Sequence, residues 1–241
     1  MELFTRDIEA LMAMRRDWLA GHAAAEIICT SAGWPLAERR GVILGMDTGV
    51  ELGNPDAGSL SYVLWTGDSS LVADGRVTIA GPDVPEAGGQ SLPLGKLVLV
   101  SVEGMSAENC LQRQRQMEHA RYSLMLEGFS VRVASGMFRE WARVHKDAVE
   151  KGFSLAMVAA RTREILLELD FVTGVECIFI TSQDAMRQLA PAAGRIQKIY
   201  DAIYSVENIP VHECDSCSNN EICSEVEAIR DLHDAAIRGA G

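Results

Sequence analysis

The chain has 241 residues, 48% of them hydrophobic, with a mean hydropathy of +0.05, the composition of a folded protein with a substantial core. Its 22 Lys and Arg stand against 34 Asp and Glu, and a net charge of -12 repels polyanions, which excludes nucleic-acid and anionic-membrane binding from the expected functions. There is no apolar run of about eighteen residues to span a bilayer, and residues 1–7 lack the basic-then-apolar pattern of a signal peptide, so the protein is expected to be cytoplasmic.

In chain order, Thr5–Ala20 places Ile8, Leu11, Met12, Met14 and Leu19 among charges, which predicts an amphipathic helix with Thr5 as its N-cap. Gly33-Trp34-Pro35 then breaks regular structure. From Gly41 short β-prone runs follow at residues 60–65, 76–80 and 97–102, separated by Gly, Asp, Asn and Pro. Asp74-Gly75 reads as a turn before the second run, and residues 81–89 as a loop. Helix formers dominate residues 107–128. Residues 129–134 read as a short strand or as the approach to the next helix. Residues 137–151 read as helical, with Gly152 as C-cap, and residues 155–169 as another helix. Val175, Cys177 and Phe179 alternate in a strand over 175–181. Ser182 or Asp184 then caps a last helix running to about Tyr204, interrupted or kinked near Pro191.

This order predicts an α/β fold: a mixed sheet layered with helices, an N-terminal helix and a C-terminal cysteine-rich metal-binding segment. The domains expected are an N-terminal helical segment over 1–40, a central α/β domain over 41–205 and a cysteine-rich tail over 206–241.

Three of the six cysteines, Cys29, Cys110 and Cys177, stand isolated and read as small buried hydrophobes. The other three form Cys214-x2-Cys217-x5-Cys223, preceded by His212. A Cys-x2-Cys pair puts two thiolates on one tight turn, within reach of one metal at about 2.3 Å. The Asn- and Ser-rich spacer lets Cys223 join them. Soft thiolates of this kind select an iron–sulfur cluster or zinc. The fourth ligand stays open among His212, a distant cysteine, a partner chain and an exogenous group. Residues 224–232 read as an N-capped helix, starting at Ser224, that braces the site.

Elsewhere the chemistry is sparse. The glycine-rich pieces match neither a phosphate-binding P-loop nor a dinucleotide fingerprint. His22, His119, His145 and His233 have no nucleophile or carboxylate at an informative spacing, so no catalytic triad is read. The ten methionines read as core packing.

Several stretches carry a family resemblance: residues 50–55 (Val50-Glu51-Leu52-Gly53-Asn54-Pro55), 74–83 (Asp74-Gly75-Arg76 to Gly81-Pro82-Asp83), 92–95 and, above all, 138–155 from Phe138-Arg139-Glu140-Trp141-Ala142-Arg143 to Leu155. Together they resemble the β subunit of the carbon monoxide dehydrogenase/acetyl-CoA synthase complex, over roughly residues 41 to 223. The resemblance implies anaerobic one-carbon metabolism and a partner complex of the same type, or a second copy that supplies a ligand. It implies that Cys214, Cys217 and Cys223 correspond to three of the four cysteines that hold the family's [4Fe–4S] cubane, although the second spacer is shorter here. A fourth matching cysteine and the Cys-Gly-Cys that binds the distal nickel are not found, so an accessory protein is expected rather than a complete synthase. It also implies that Arg139 and Arg143 meet CoA. On the expected helix these two lie at i and i+4, on one face, and their planar donor forks suit phosphate. The same pair also reads as an ordinary solvated face, and Trp141 as either core or a stacking platform for adenine. The competing function is a non-enzymatic interaction module ordered by zinc or a cluster.

Overall fold

Runs of aliphatic and β-branched residues build the middle of a five-stranded sheet. Its strands are β1 (Ala24–Ile28), β3 (Ser59–Thr66), β4 (Arg76–Ala80), β6 (Leu94–Val102) and β9 (Val172–Ile180), in the order β1-β4-β9-β6-β3. The β4–β9 and β3–β6 pairs are parallel and the β1–β4 and β6–β9 pairs antiparallel, so the sheet is mixed, as expected. Every residue of β6 is buried, and so is β9 except Thr173, so both faces of these strands are covered and the expected alternation of Val175, Cys177 and Phe179 does not mark a single buried face. The structure, a computed structural model, describes residues 2–39, 41–205 and 217–239.

Helices cover this sheet. They are α1 (Thr5–Ala20), α2 (Cys110–Ala120), α4 (Leu155–Leu166) and α5 (Gln183–Ser205). α4 packs on β9 and β4, and α1 on β1, β3 and α5. α1 has the expected bounds, but Phe4 rather than Thr5 is its N-cap, and the Thr5 hydroxyl bonds Thr66 at 3.0 Å instead. β1 adds a strand within the first forty residues that the sequence leaves unread. α2 is shorter than the helical stretch expected over 107–128, and a 3-10 turn at Arg121–Ser123 follows it. Pro191 lies inside α5, which runs without interruption from Gln183 to Ser205.

A second, four-stranded sheet has the order β5-β2-β8-β7, from β5 (Ser91–Leu92), β2 (Thr48–Leu52), β8 (Arg139–His145) and β7 (Phe129–Ala134). The helix α3 (Lys146–Glu150) follows β8, capped by the His145 side chain. The Ser61 N–H donates to the Phe138 carbonyl at 2.7 Å and joins this sheet to the large one. Behind β8, Lys96 Nζ lies 3.2 Å from Glu140 Oε2, and Ser61 Oγ donates to Glu140 Oε1 at 2.7 Å; all three residues are buried. At the C-terminal end, α6 (Asn220–Glu225) and α7 (Glu227–Gly239) pack against α5. The helix expected from Ser224 is therefore two helices, with Ser224 in the last turn of the first.

Candidate functional site

The helix expected over 137–151 is instead β8 followed by α3. Helix formers such as Glu140, Ala142 and Arg143 lose to the tertiary pattern. Glu140, Ala142 and Val144 are buried, while Arg139, Trp141, Arg143 and His145 alternate with them on the outer face. Arg139 and Arg143 still share a face, because four is even in a strand of period two, but they lie about 13 Å apart along it. Phe138 introduces the strand with φ +49, a conformation that L-residues rarely adopt. Its ring is held by Tyr62 at 5.3 Å and Tyr200 at 4.6 Å.

Antiparallel pairing sets Arg132 of β7 opposite Trp141, and Ser130 opposite Arg143, with Glu51 of β2 on the other side of Arg143. The Arg143 guanidinium lies 4.9 Å from the Trp141 ring centre and that of Arg132 lies 5.7 Å from it. Arg143 is engaged: its Nε donates to Glu51 Oε1 at 2.9 Å and its Nη1 to the Ile43 carbonyl at 3.2 Å. Asn54 Nδ2 donates to the other Glu51 oxygen at 2.9 Å. Burial pushes the Glu51 carboxyl up, but the hydrogen bonds from Asn54 and Arg143 more than reverse this and hold it below the usual carboxylate range. The Trp141 indole N–H is buried near Glu51 without reaching hydrogen-bond geometry.

Arg132 and Arg139 differ from Arg143. Among the described residues neither is paired with a carboxylate, and both are exposed. They line one cavity of about 230 Å³ together with Gly53, Asn54, Ser59 and Trp141. Gly53 is required there: its φ is +68, and a Cβ would meet the Glu140 carbonyl at 2.5 Å. Sequence reasoning missed Arg132. Its signal was the alternation of Phe129–Ala134, legible only once β7 is set antiparallel to β8.

Of the expected metal ligands, His212 and Cys214 lie outside the described residues. Cys217 sits just before α6, and the Asn219 N–H donates to its Sγ at 3.4 Å. Cys223 lies in α6, half-buried against the core. α6 is tied to α5 through Lys198–Glu221 at 3.4 Å and Arg195–Glu225 at 3.5 Å. Among the described residues no group of three or more His, Cys, Asp or Glu forms a metal site. Cys110 and Cys177 are buried, and burial pushes both thiols up to about 12, in keeping with small core hydrophobes. Cys29 is only half-buried and donates to the Ser31 carbonyl at 3.3 Å.

Residues 42–186, more than half of the chain, match the family of the CO dehydrogenase/acetyl-CoA synthase complex beta subunit. The chain belongs to this family. No curated protein matches it.

The matched span runs from before β2 into α5. It holds the whole small sheet with Arg132, Arg139, Trp141 and Arg143, and ends before the cysteine segment. Several polar residues within the matched span have structural roles. Asp74 takes a two-pronged bond from Arg163, at 2.8 and 2.5 Å, and also accepts the Val175 N–H, which fastens α4 to the turn before β4. Arg76 makes the same kind of pair with buried Glu176, at 2.7 and 2.6 Å. Asp83 accepts from Ser154 Oγ at 2.5 Å and from the Leu155 N–H at 2.9 Å, holding the start of α4. No helix among the described residues is long and apolar enough to cross a membrane.

Proposed function

We propose that this chain is an accessory, acetyl-CoA-synthase-like subunit of anaerobic one-carbon metabolism that binds a CoA-type ligand on the outer face of its small sheet. The observation that carries this reading is the pair of guanidiniums without a carboxylate partner among the described residues, Arg132 and Arg139, on one cavity with Trp141 as a wall. A guanidinium with free donors binds phosphate through two parallel bonds, and an indole offers a stacking surface for a base. A drug-sized ligand fills roughly 300–1,000 Å³. The cavity of about 230 Å³ therefore takes one end of CoA, its phosphate groups, and leaves the rest outside. Arg143 helps by holding Trp141 and Glu51 in place rather than by meeting the ligand.

In the same reading Cys214, Cys217 and Cys223, with His212 as the fourth ligand, hold an iron–sulfur cluster. The soft donor set and the N–H directed at Cys217 Sγ suit thiolate ligation, because amide hydrogen bonds stabilise cluster sulfurs. The cluster would supply electron-transfer capacity next to α5. No synthesis step is assigned to these residues.

Calorimetry with CoA tests the first part. Binding to the parent protein that weakens at least tenfold in Arg132→Ala with Arg139→Ala supports it, and a parent protein without affinity for CoA ends it. Purification without oxygen, followed by metal and sulfide analysis, tests the second. About four irons per chain with acid-labile sulfide supports a cubane. One colourless zinc per chain would instead make the segment a structurally ordered interaction module.

A further inference from the structure

β7 is the outer strand of the small sheet and is paired on one side only, with β8. The His145 N–H donates to the Gly128 carbonyl at 2.8 Å, which sets the alternation of the ladder. Residues 130, 132 and 134 bond β8, and Val131 and Val133 turn their N–H and C=O groups to the open side. Among the described residues, no loop or turn bond reaches those groups. Upstream, the Leu36–Leu126 bridge covers the chain just before β7. Beyond it the edge lines a cavity of about 340 Å³, to which the five consecutive residues from Phe129 to Val133 contribute.

The other walls of this groove are Ala37, Leu124 and Met125, together with Tyr122 and Arg39. It thus combines an unpaired strand edge, an apolar floor and two exposed arginines, within a chain of net charge -12. Screening limits the reach of the distant acidic groups to about 8 Å at physiological salt, so the local cations decide what docks. Self-pairing of two β7 edges would bring Arg132 of each copy towards the other and is disfavoured by like charge.

We propose that the open edge of β7 is a docking site for an extended acidic peptide segment of a partner protein, which adds a fifth strand to the small sheet. Main-chain bonds to Val131 and Val133 supply the register, and Arg39 and Arg132 select carboxylates at alternate positions of the guest strand. Five residues of edge span about 17 Å, so four to six guest residues are recognised.

Fluorescence anisotropy with labelled hexapeptides tests this. The probe alternates valine and glutamate, and its control alternates valine and lysine. The glutamate peptide is expected to bind and the lysine peptide to bind at least tenfold more weakly. Arg39→Glu, which lies outside the CoA cavity, should weaken the glutamate peptide at least tenfold. Val131→Pro should abolish binding with the circular dichroism spectrum unchanged, since that N–H has no partner to lose. If this variant does not fold, a glutamate peptide N-methylated at alternate backbone nitrogens replaces it, and must bind at least tenfold more weakly. Equal binding of both peptides, no binding at low salt, or no response to edge blocking would overturn the proposal. Concentration-dependent dimerisation that Arg132→Glu strengthens would assign the edge to a second copy and overturn it as well.

Discussion

At the centre of the five-stranded sheet, Glu176 is fully buried and takes Nε and Nη2 of Arg76, the Ala73 N–H at 3.0 Å, and Arg15 at 3.7 Å. Arg15 also bonds Thr78 at 2.9 Å and pairs with Glu26. On the outer face of the four-stranded sheet, by contrast, three arginines share one carboxylate, and only Arg143 reaches it. Where carboxylates inside the protein take the guanidinium, arginine braces strands against a helix. Where donors are left over and face a cavity, it awaits an anion. Residue type alone does not separate these roles; the count of satisfied donors does.

This contrast is open to attack at both ends. The largest effect is expected at Glu176→Ala, which strands two guanidiniums beside the core and should cost about 3–5 kcal/mol in urea unfolding. A loss under about 1 kcal/mol would show that the large-sheet cluster is not a brace. Next, Lys96→Met should cost about 3 kcal/mol because it leaves the Glu140 carboxylate buried and without its cation. Adding Glu140→Leu should restore most of that loss, and a double variant as unstable as the single one would refute the pairing. Gly53→Ala should cost more than about 1 kcal/mol, since its positive φ and the Glu140 carbonyl both oppose a side chain. At the other end, Arg139→Ala should change stability by less than about 0.5 kcal/mol while weakening CoA, the signature of a cation kept for a ligand.

The smallest effect is a pH dependence. The folded pKa of Glu51 lies below the ordinary value of 4.5, so its stabilising contribution is complete above that value and disappears as pH falls through the folded one. Glu51→Gln should therefore flatten the acid limb of the stability profile. It should also release Arg143 and strengthen anion binding. A variant with an unchanged acid limb would count against the Glu51–Arg143 pair.

Much of the scaffold was legible in the sequence. The bounds of α1 and β4 agree with the expectation, as do the existence and type of β9, α4 and α5, because long apolar patterns and flanking Gly, Pro and Ser dominate there. The part that carries the candidate site was misread. In β8 the alternation of Glu140, Ala142 and Val144 with Arg139, Trp141 and Arg143 competes with high helix propensity, and only the cross-strand partners on β2 and β7 decide it. The pairing of Arg139 with Arg143 was therefore half right. They share a face, but the cavity joins Arg139 to Arg132, a residue seven positions earlier that no local spacing could nominate. β1 was unread for a different reason: its residues are mostly exposed, so it lacks the apolar pattern that marks a strand.

The buried clasp of Lys96, Glu140 and Ser61 has a consequence for how the ligand face keeps its identity. Sliding β8 by one residue along its neighbours would turn Arg139, Trp141 and Arg143 inward and present Glu140, Ala142 and Val144 to solvent. On the outer face the Glu51–Arg143 pair opposes this. Inside, Lys96 opposes it too, because a slipped strand would leave its ammonium buried against Arg139 instead of a carboxylate. The clasp acts as a proofreader of strand frame: its side chains are buried behind β8, yet they determine which side of β8 a ligand meets.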